Sequence, residues 1–430
     1  MRTSWNANWG ILFTQPKLPS SRIEEGAEQA LGRELSVSII EIMRTTFFRF
    51  FFNWTMILLL TGTSAASTYY VATSGLDTND GSKDHPWFSV KYAMTKLASN
   101  DTLFVRGGVY YEKAFTISGL SNVVVSAFPG EQVEITGGMP EFRPAPNTKW
   151  ELSDGAINLY RSVNIYASSS YMNAWLLDDN LHLVEYQVMD NLRSTNYGPV
   201  QGFVPMYQGP GILLSNDAHL YIRLENNPND LVGPLGLPRA AVPAELDPNK
   251  HSISVFFTKT LITVSNSSSI KFRDLALSHA QYLFDITSSA ANFEFDHCTF
   301  DYGRYAFVLR GTSTAPAAHD FVIHDCDFNN GLPEYVYWCD VKNKDQEVGE
   351  AYSEFQSEAI SGPASGFVIR NNTFHDSFDA MDLAAGTTNA RVVGNKFFRL
   401  RDDAVTLGIV SNVEIAECRD PLAHRRSGVG

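Results

Sequence analysis

The sequence has little cysteine and no excess of positive charge. Only four cysteines occur in 430 residues: Cys298, Cys326, Cys339 and Cys418. They form no C-x-x-C and no His pair stands beside them at ligand spacing, so a zinc site is not expected. Lys and Arg number 33 against 47 Asp and Glu, a net charge of -14. A general grip on nucleic-acid phosphates needs a basic surface, which this balance argues against. P-loop, G-x-G-x-x-G, H-E-x-x-H and G-x-S-x-G motifs are all missing. Their absence removes the simplest nucleotide, metalloprotease and serine-hydrolase readings.

What is present is apolar and aromatic. Apolar residues make up 44%, charged residues 19% and aromatics 12%, which describes a globular chain suited to strands. The run FFRFFFNWTMILLL (47–60) is too short and too interrupted for a comfortable membrane span. With Arg44 and Arg49 supplying the positive start and Ser64 and Ala66 following the run, it reads as a secretory signal peptide. Residues 1–66 are therefore read as an upstream segment plus signal peptide, with Met43 as the natural start. The mature chain is expected to be secreted, extracellular or periplasmic, and to act as a monomer without a membrane span.

The last third repeats. FEFDHCTF (293–300), FVIHDCDF (321–328), FVIRNNTF (367–374) and RVVGNKFF (391–398) share one frame, joined by IKFRDLAL (270–277) and VEIAECRD (413–420). Alternating apolar residues make each a short half-buried strand. One column runs Leu275, Cys298, Cys326, Asn372, Asn395, Cys418, in steps of 23, 28, 46, 23 and 23. A fixed period of this size marks a solenoid of stacked parallel strands. Asn372 and Asn395 are expected to bond from coil to coil, and the cysteines to be small interior fillers.

A second strand follows that column: YAFVL (305–309), DAMDL (379–383), DAVTL (403–407), with EAI (358–360) in the same phase. The polar stretch 340–357 reads as a long loop leaving one coil. Residues 138–260 break the repeat and read as an inserted β-rich subdomain. The remaining boundaries follow: 67–137 as cap and first coils, 261–420 as further coils, 421–430 as an irregular or truncated tail.

Three acidic residues, Glu358, Asp379 and Asp403, share one position of successive second strands, with Asp402 and Asp382 beside them. Parallel strands lie about 4.8 Å apart, so these carboxylates can form a ladder. Like charges that close require a shared proton or a cation. A proton-holding acid beside an ionised carboxylate suits glycosidic cleavage. A set holding calcium, here Glu358, Asp379 and Asp403, suits a polysaccharide lyase with Arg370, Lys342 or His375 as base. Lys342, Arg370, His375 and Trp338 are the candidate substrate contacts. A noncatalytic carbohydrate-binding or surface protein is the third reading.

YYVATSGLDTNDGSKDHPWFSV (69–90) with NDTLFVRGGVYYE (100–112) resembles the opening segment of right-handed parallel β-helix proteins of the pectate-lyase-like class. The resemblance implies an all-β solenoid with an N-terminal capping helix near 87–98. FDAMDL (378–383) and RDDAVTL (401–407) resemble the aspartate segments of polygalacturonase-type glycosidases. That implies Asp379, Asp402 and Asp403 as catalytic carboxylates and a polysaccharide substrate, with no cofactor for hydrolysis. It also implies a His one coil further on, at His424, whose neighbours AHRRSGVG depart from the family pattern.

Overall fold

The structure is a computed structural model that describes residues 66–167, 171–197, 204–228, 243–332 and 356–419. Three long parallel sheets run through it. The first has nine strands, from Thr68–Val71 and Thr102–Val105 to Arg391–Val393 and Glu414–Ala416. The second has seven, from Gly108–Tyr111 to Lys396–Leu400, and the third has seven, from Phe115–Ser118 to Val405–Leu407. Each coil visits the three sheets in turn, so the chain is a right-handed parallel β-helix. Residues 23 apart are direct neighbours: Phe272 pairs with Phe295, and Ile369 with Val392.

The turn from first to second sheet explains the repeat. Its leading residue adopts positive φ in coil after coil: Asp274, His297, Asp325, Asn371, Gly394 and Glu417. Asp and Asn tolerate that conformation better than most side chains. The next residue is the interior column read from the sequence. Asn372 is fully buried there. Its Oδ1 accepts from the Cys326 amide and its Nδ2 donates to the Ile323 carbonyl, both at 2.9 Å. Asn395 repeats the move one coil on, accepting from the Asn372 amide and donating to Ile369 O. Cys298, Cys326 and Cys418 occupy the same column as free thiols, and the hydrogen bond with Cys298, then burial, push the Cys326 thiol up.

Aromatic rungs fill the interior. Phe300, Phe328, Phe374 and Phe397 stack face to face with centroids 4.7, 4.4 and 5.2 Å apart. These spacings follow the distance between hydrogen-bonded strands. At the chain's beginning a helix spans Val90–Met94, capped by the Ser89 hydroxyl, and buries Val90, Ala93 and Met94 in the main core. It is shorter than the 87–98 helix expected, and its closing role at the solenoid end stays an expectation.

The coils are interrupted between Val133–Thr136 of the second sheet and Thr260–Ser265 of the third. The chain between them builds its own sheets. One has five strands and includes the hairpin Gly211–Leu214/His219–Arg223; the other has three and includes Asn173–Leu176 and Ile253–Phe256. This insert docks on the solenoid. Leu332 and Phe378 of the coils share a buried cluster with Tyr186, Leu192, Tyr207 and Leu213 of the insert. Trp175 and Phe256 meet His279 and Tyr302, and Arg143 grips Glu134 of the second sheet at 2.9 Å. Among the described residues no helix is long and apolar enough to cross a membrane. The signal-peptide residues, Trp338, Lys342, Cys339 and His424 lie outside the described residues.

Candidate active site

The third sheet carries the carboxylates. Its strands repeat a burial pattern in which the first residue faces out, two small or apolar residues face in, the fourth faces out and the fifth faces in. Two inward positions in succession place Ala306 with Phe307, Ala359 with Ile360 and Ala380 with Met381 in the core. The first position is thus an outward column. Register runs Tyr282, Tyr305, Glu358, Asp379 through consecutive strands. Asp403 follows two residues before Val405, the partner of Met381.

The hydrogen bonds around Asp379 lock this end of the column. Asp379 is 7% exposed, and its Oδ1 accepts the Asp403 backbone amide at 2.9 Å. Its own amide donates to Ser357 O. Phe378, buried in the insert's cluster, accepts the Asp402 amide on its carbonyl and donates its own amide to Ser357 Oγ. Gly362 ends the neighbouring strand at φ +122°, where a Cβ would lie 2.1 Å from the Leu309 carbonyl, so only glycine fits that close approach.

Oxygens of Asp379, Asp402 and Asp403 all lie within 4.8 Å of one another. The first is buried, the second half-buried and the third exposed. Carboxylates this close repel one another, and their oxygens are of the kind that a hard cation takes. Glu358 is the register neighbour of Asp379, yet it stands outside this close set, so the trio differs from the Glu358/Asp379/Asp403 grouping read from spacing. The reason is the Arg401–Asp403 turn, which brings in Asp402 from the same coil. Asp382 is the fourth residue of the Asp379–Leu383 strand, the next outward position after Asp379, and burial raises its carboxyl above the usual range.

Arg370 and His375 are not brought to this cluster. Arg370 is on the first sheet, 3.8 Å from Asp325. His375 is on the second, with Nε2 3.1 Å from Asp327 and Nδ1 2.6 Å from Asp376. Burial opposes its charge, but those two carboxylates outweigh burial and raise its pKa to about 9. Their sequence positions near Asn372 are misleading, because two tight turns separate the three sheets.

One perturbed acid was missed by sequence reasoning. Asp301, in the same column as His375, has its pKa pushed up to about 7 by burial and by the charges of Asp327 and Glu134. The available signal was its place after Phe300 in the repeat frame, an outward position of the second sheet. Beside the strand starts of the third sheet lies a small pocket lined by Asn173, Trp175 and His182 of the insert and by Gly303, Arg304 and Ser357 of the coils, among others. Trp175 stacks on His182 at 3.9 Å, and its Nε1 is buried without a hydrogen-bond partner. Burial holds His182 neutral, with its pKa lowered to about 3.

Neither a protein-family model nor a curated protein sequence matches this chain. Solved structures do. XylC, solved in complex with xylose, superposes with a TM-score of 0.52 at 14% identity, over 81% of this chain and 65% of that one. A glycoside hydrolase (TM-score 0.40, 11% identity, 85% and 99% covered) and the pectate lyase Pel9A (0.39, 10%, 80% and 56%) are more distant. The chain spans less than two thirds of the length of XylC and of Pel9A. At such identities the likeness concerns the fold alone: this chain is a right-handed parallel β-helix interrupted by a β-rich insert.

Proposed function

We propose that the protein is a carbohydrate-active enzyme that hydrolyses glycosidic bonds of a polysaccharide through Asp379, Asp402 and Asp403. The observation that carries this reading is the convergence of three carboxylates within 4.8 Å, on a sheet face beside the insert. Asp379 accepts the Asp403 amide on Oδ1. It is the oriented carboxylate. Asp402 and Asp403 are more open to solvent and to substrate. In this reading one of the three acts as general acid and donates a proton to the leaving oxygen of the glycosidic bond, and an ionised neighbour activates water or stabilises the developing positive charge on the sugar. Secretion is part of the proposal and rests on residues 43–66 of the sequence.

A second reading, a calcium-dependent polysaccharide lyase, draws on the same trio, since hard cations take carboxylate oxygens. Two of its three candidate bases, Arg370 and His375, engage carboxylates on the other two sheets, and the third, Lys342, lies outside the described residues.

The test is turnover of a panel of neutral and acidic polysaccharides by the full chain, with and without calcium, followed by reducing ends and ultraviolet absorbance together. Hydrolysis gives reducing ends without absorbance, and Asp403→Asn abolishes them. Calcium-dependent absorbance replaces the hydrolase with the lyase. Binding without turnover, unaffected by Asp379→Asn and Asp403→Asn, replaces both with a carbohydrate-binding protein.

A further inference from the structure

The outward column of the third sheet does not end at the carboxylates. Below Glu358 it continues with Tyr305 and then Tyr282, in unbroken register. The two tyrosines are partly exposed and meet edge to face, with centroids 5.5 Å apart. Cationic side chains brace them: Arg304 stands 5.6 Å from the Tyr305 ring centre, Arg310 5.4 Å and Lys259 6.0 Å from that of Tyr282. Arg310 is itself fixed by a 2.8 Å ion pair to Asp285, so its charge is compensated and its ring contact is held in place.

From this we infer that Tyr305 and Tyr282 are subsites for a linear, uncharged glycan chain that lies along the column and reaches the carboxylates at Asp379. The inference rests on the hydrolase reading above and adds the direction, reach and charge of the substrate. Its reach follows from the rungs. Three register steps separate Tyr282 from Asp379, which at about 4.8 Å each is roughly 14 Å. A bound chain therefore contacts the protein well beyond the bond being cut.

The chemistry of the column fits sugar rings. The parts of the two rings left exposed beside their bracing cations take the apolar C–H surfaces of a pyranose, while phenol and guanidinium groups serve its hydroxyls. The charge of the face selects against a polyanion. Asp285, Glu358, Asp379, Asp382, Asp402 and Asp403 stand on or beside these strands against Lys259, Arg304, Arg310 and Arg401, within a chain of net charge -14. An acidic polysaccharide meets net repulsion there. Contacts remote from the cut bond are also where an enzyme gains rate from longer substrates.

The experiment separates binding from cleavage. Asp403→Asn of the full chain is titrated with soluble xylan, β-glucan, mannan, galactan and polygalacturonate, with binding read by affinity electrophoresis and calorimetry. The expected result is retention by at least one neutral polysaccharide, with no retention by polygalacturonate at low salt. Tyr282→Ala in that background weakens retention about tenfold or more, and Tyr282→Phe, which keeps the ring, restores it. Melting curves confirm that each variant is folded. Retention by polygalacturonate alone, retention indifferent to Tyr282→Ala, or no retention by any of them overturns the inference. The hydrolase reading is judged apart, by reducing ends from the unmutated chain: binding that depends on Tyr282 without turnover removes that reading and leaves the subsites standing.

Discussion

The Asp403 backbone amide donates a 2.9 Å hydrogen bond to Oδ1 of Asp379, one coil away. This bond ties two carboxylate-bearing turns into one unit and gives the pair a sharp test. Asp379→Asn retains an acceptor oxygen for the amide but removes the charge. Activity is expected to fall by about 10²–10⁴-fold while the melting temperature stays near that of the unmutated chain. Asp379→Ala also leaves the Asp403 amide without that acceptor, and costs a further 1–3 kcal/mol or so of stability by denaturant titration. Full activity in the Asn variant would remove Asp379 from the chemistry.

Asn372 hydrogen-bonds to the coils on both sides of its own. Asn372→Ala deprives the Cys326 amide of its acceptor and the Ile323 carbonyl of its donor, both in a dry interior. A loss of about 2–5 kcal/mol is expected, one to a few per orphaned group. The midpoint of guanidinium unfolding measures it. A shift no larger than that of an exposed control such as Lys396→Ala would show that the side-chain ladder is dispensable.

Asp301 gives a pH signature. Its folded pKa of about 7 lies above the unfolded value of 3.8, so its ionisation is costlier in the fold. The penalty is absent at low pH, grows as pH rises above the unfolded value and is complete above about 7. Asp301→Asn is therefore expected to raise the melting temperature at pH 8 and to leave it nearly unchanged near pH 3. An equal gain at both pH values would assign the effect to packing.

His375 has the opposite sign. Its folded pKa is about 9 against an unfolded 6.5, because Asp327 and Asp376 favour the charged ring. The stabilisation is fully present below 6.5 and is lost as pH rises through about 9. His375→Gln should lower stability at pH 6 and flatten the decline between pH 7 and 10. Arg399 also holds Asp376, so the carboxylate keeps one partner in the variant. An unchanged decline would place the titrating group elsewhere.

Phe378 tests the seat of the insert. It is fully buried among insert residues, and it immediately precedes Asp379. Phe378→Ala is expected to cost about 3–5 kcal/mol as a core truncation. It should also loosen the insert, read as faster hydrogen exchange at Tyr186, Tyr207 and Leu213. Unchanged exchange there would show that the insert holds its place without this contact.

Much of this architecture was legible as a string of letters. The column Leu275, Cys298, Cys326, Asn372, Asn395 is a buried line in the fold, and the outward places of Glu358 and Asp379 follow from the same frame. That is so because a solenoid repeats a local rule: each coil meets only its neighbours, so the period of the sequence is the spacing of the contacts. Helix length near residue 90 was less legible, since Val90–Met94 needs packing against the coils to be a helix at all.

The sequence by itself determined the parallel stacking, the amide ladder and the alignment of acidic positions on one sheet. The family resemblance had already named Asp379, Asp402 and Asp403 together; the tertiary structure added how close their oxygens come and that Glu358 stands outside the close set. It also decided that Arg370 and His375 serve other sheets, and that Asp301 carries a strongly perturbed carboxyl. Those outcomes depend on turn geometry, on the unrepeated insert packed against Phe378, and on how deeply each charge is withdrawn from water. None of these varies with the period, so none can be read from it.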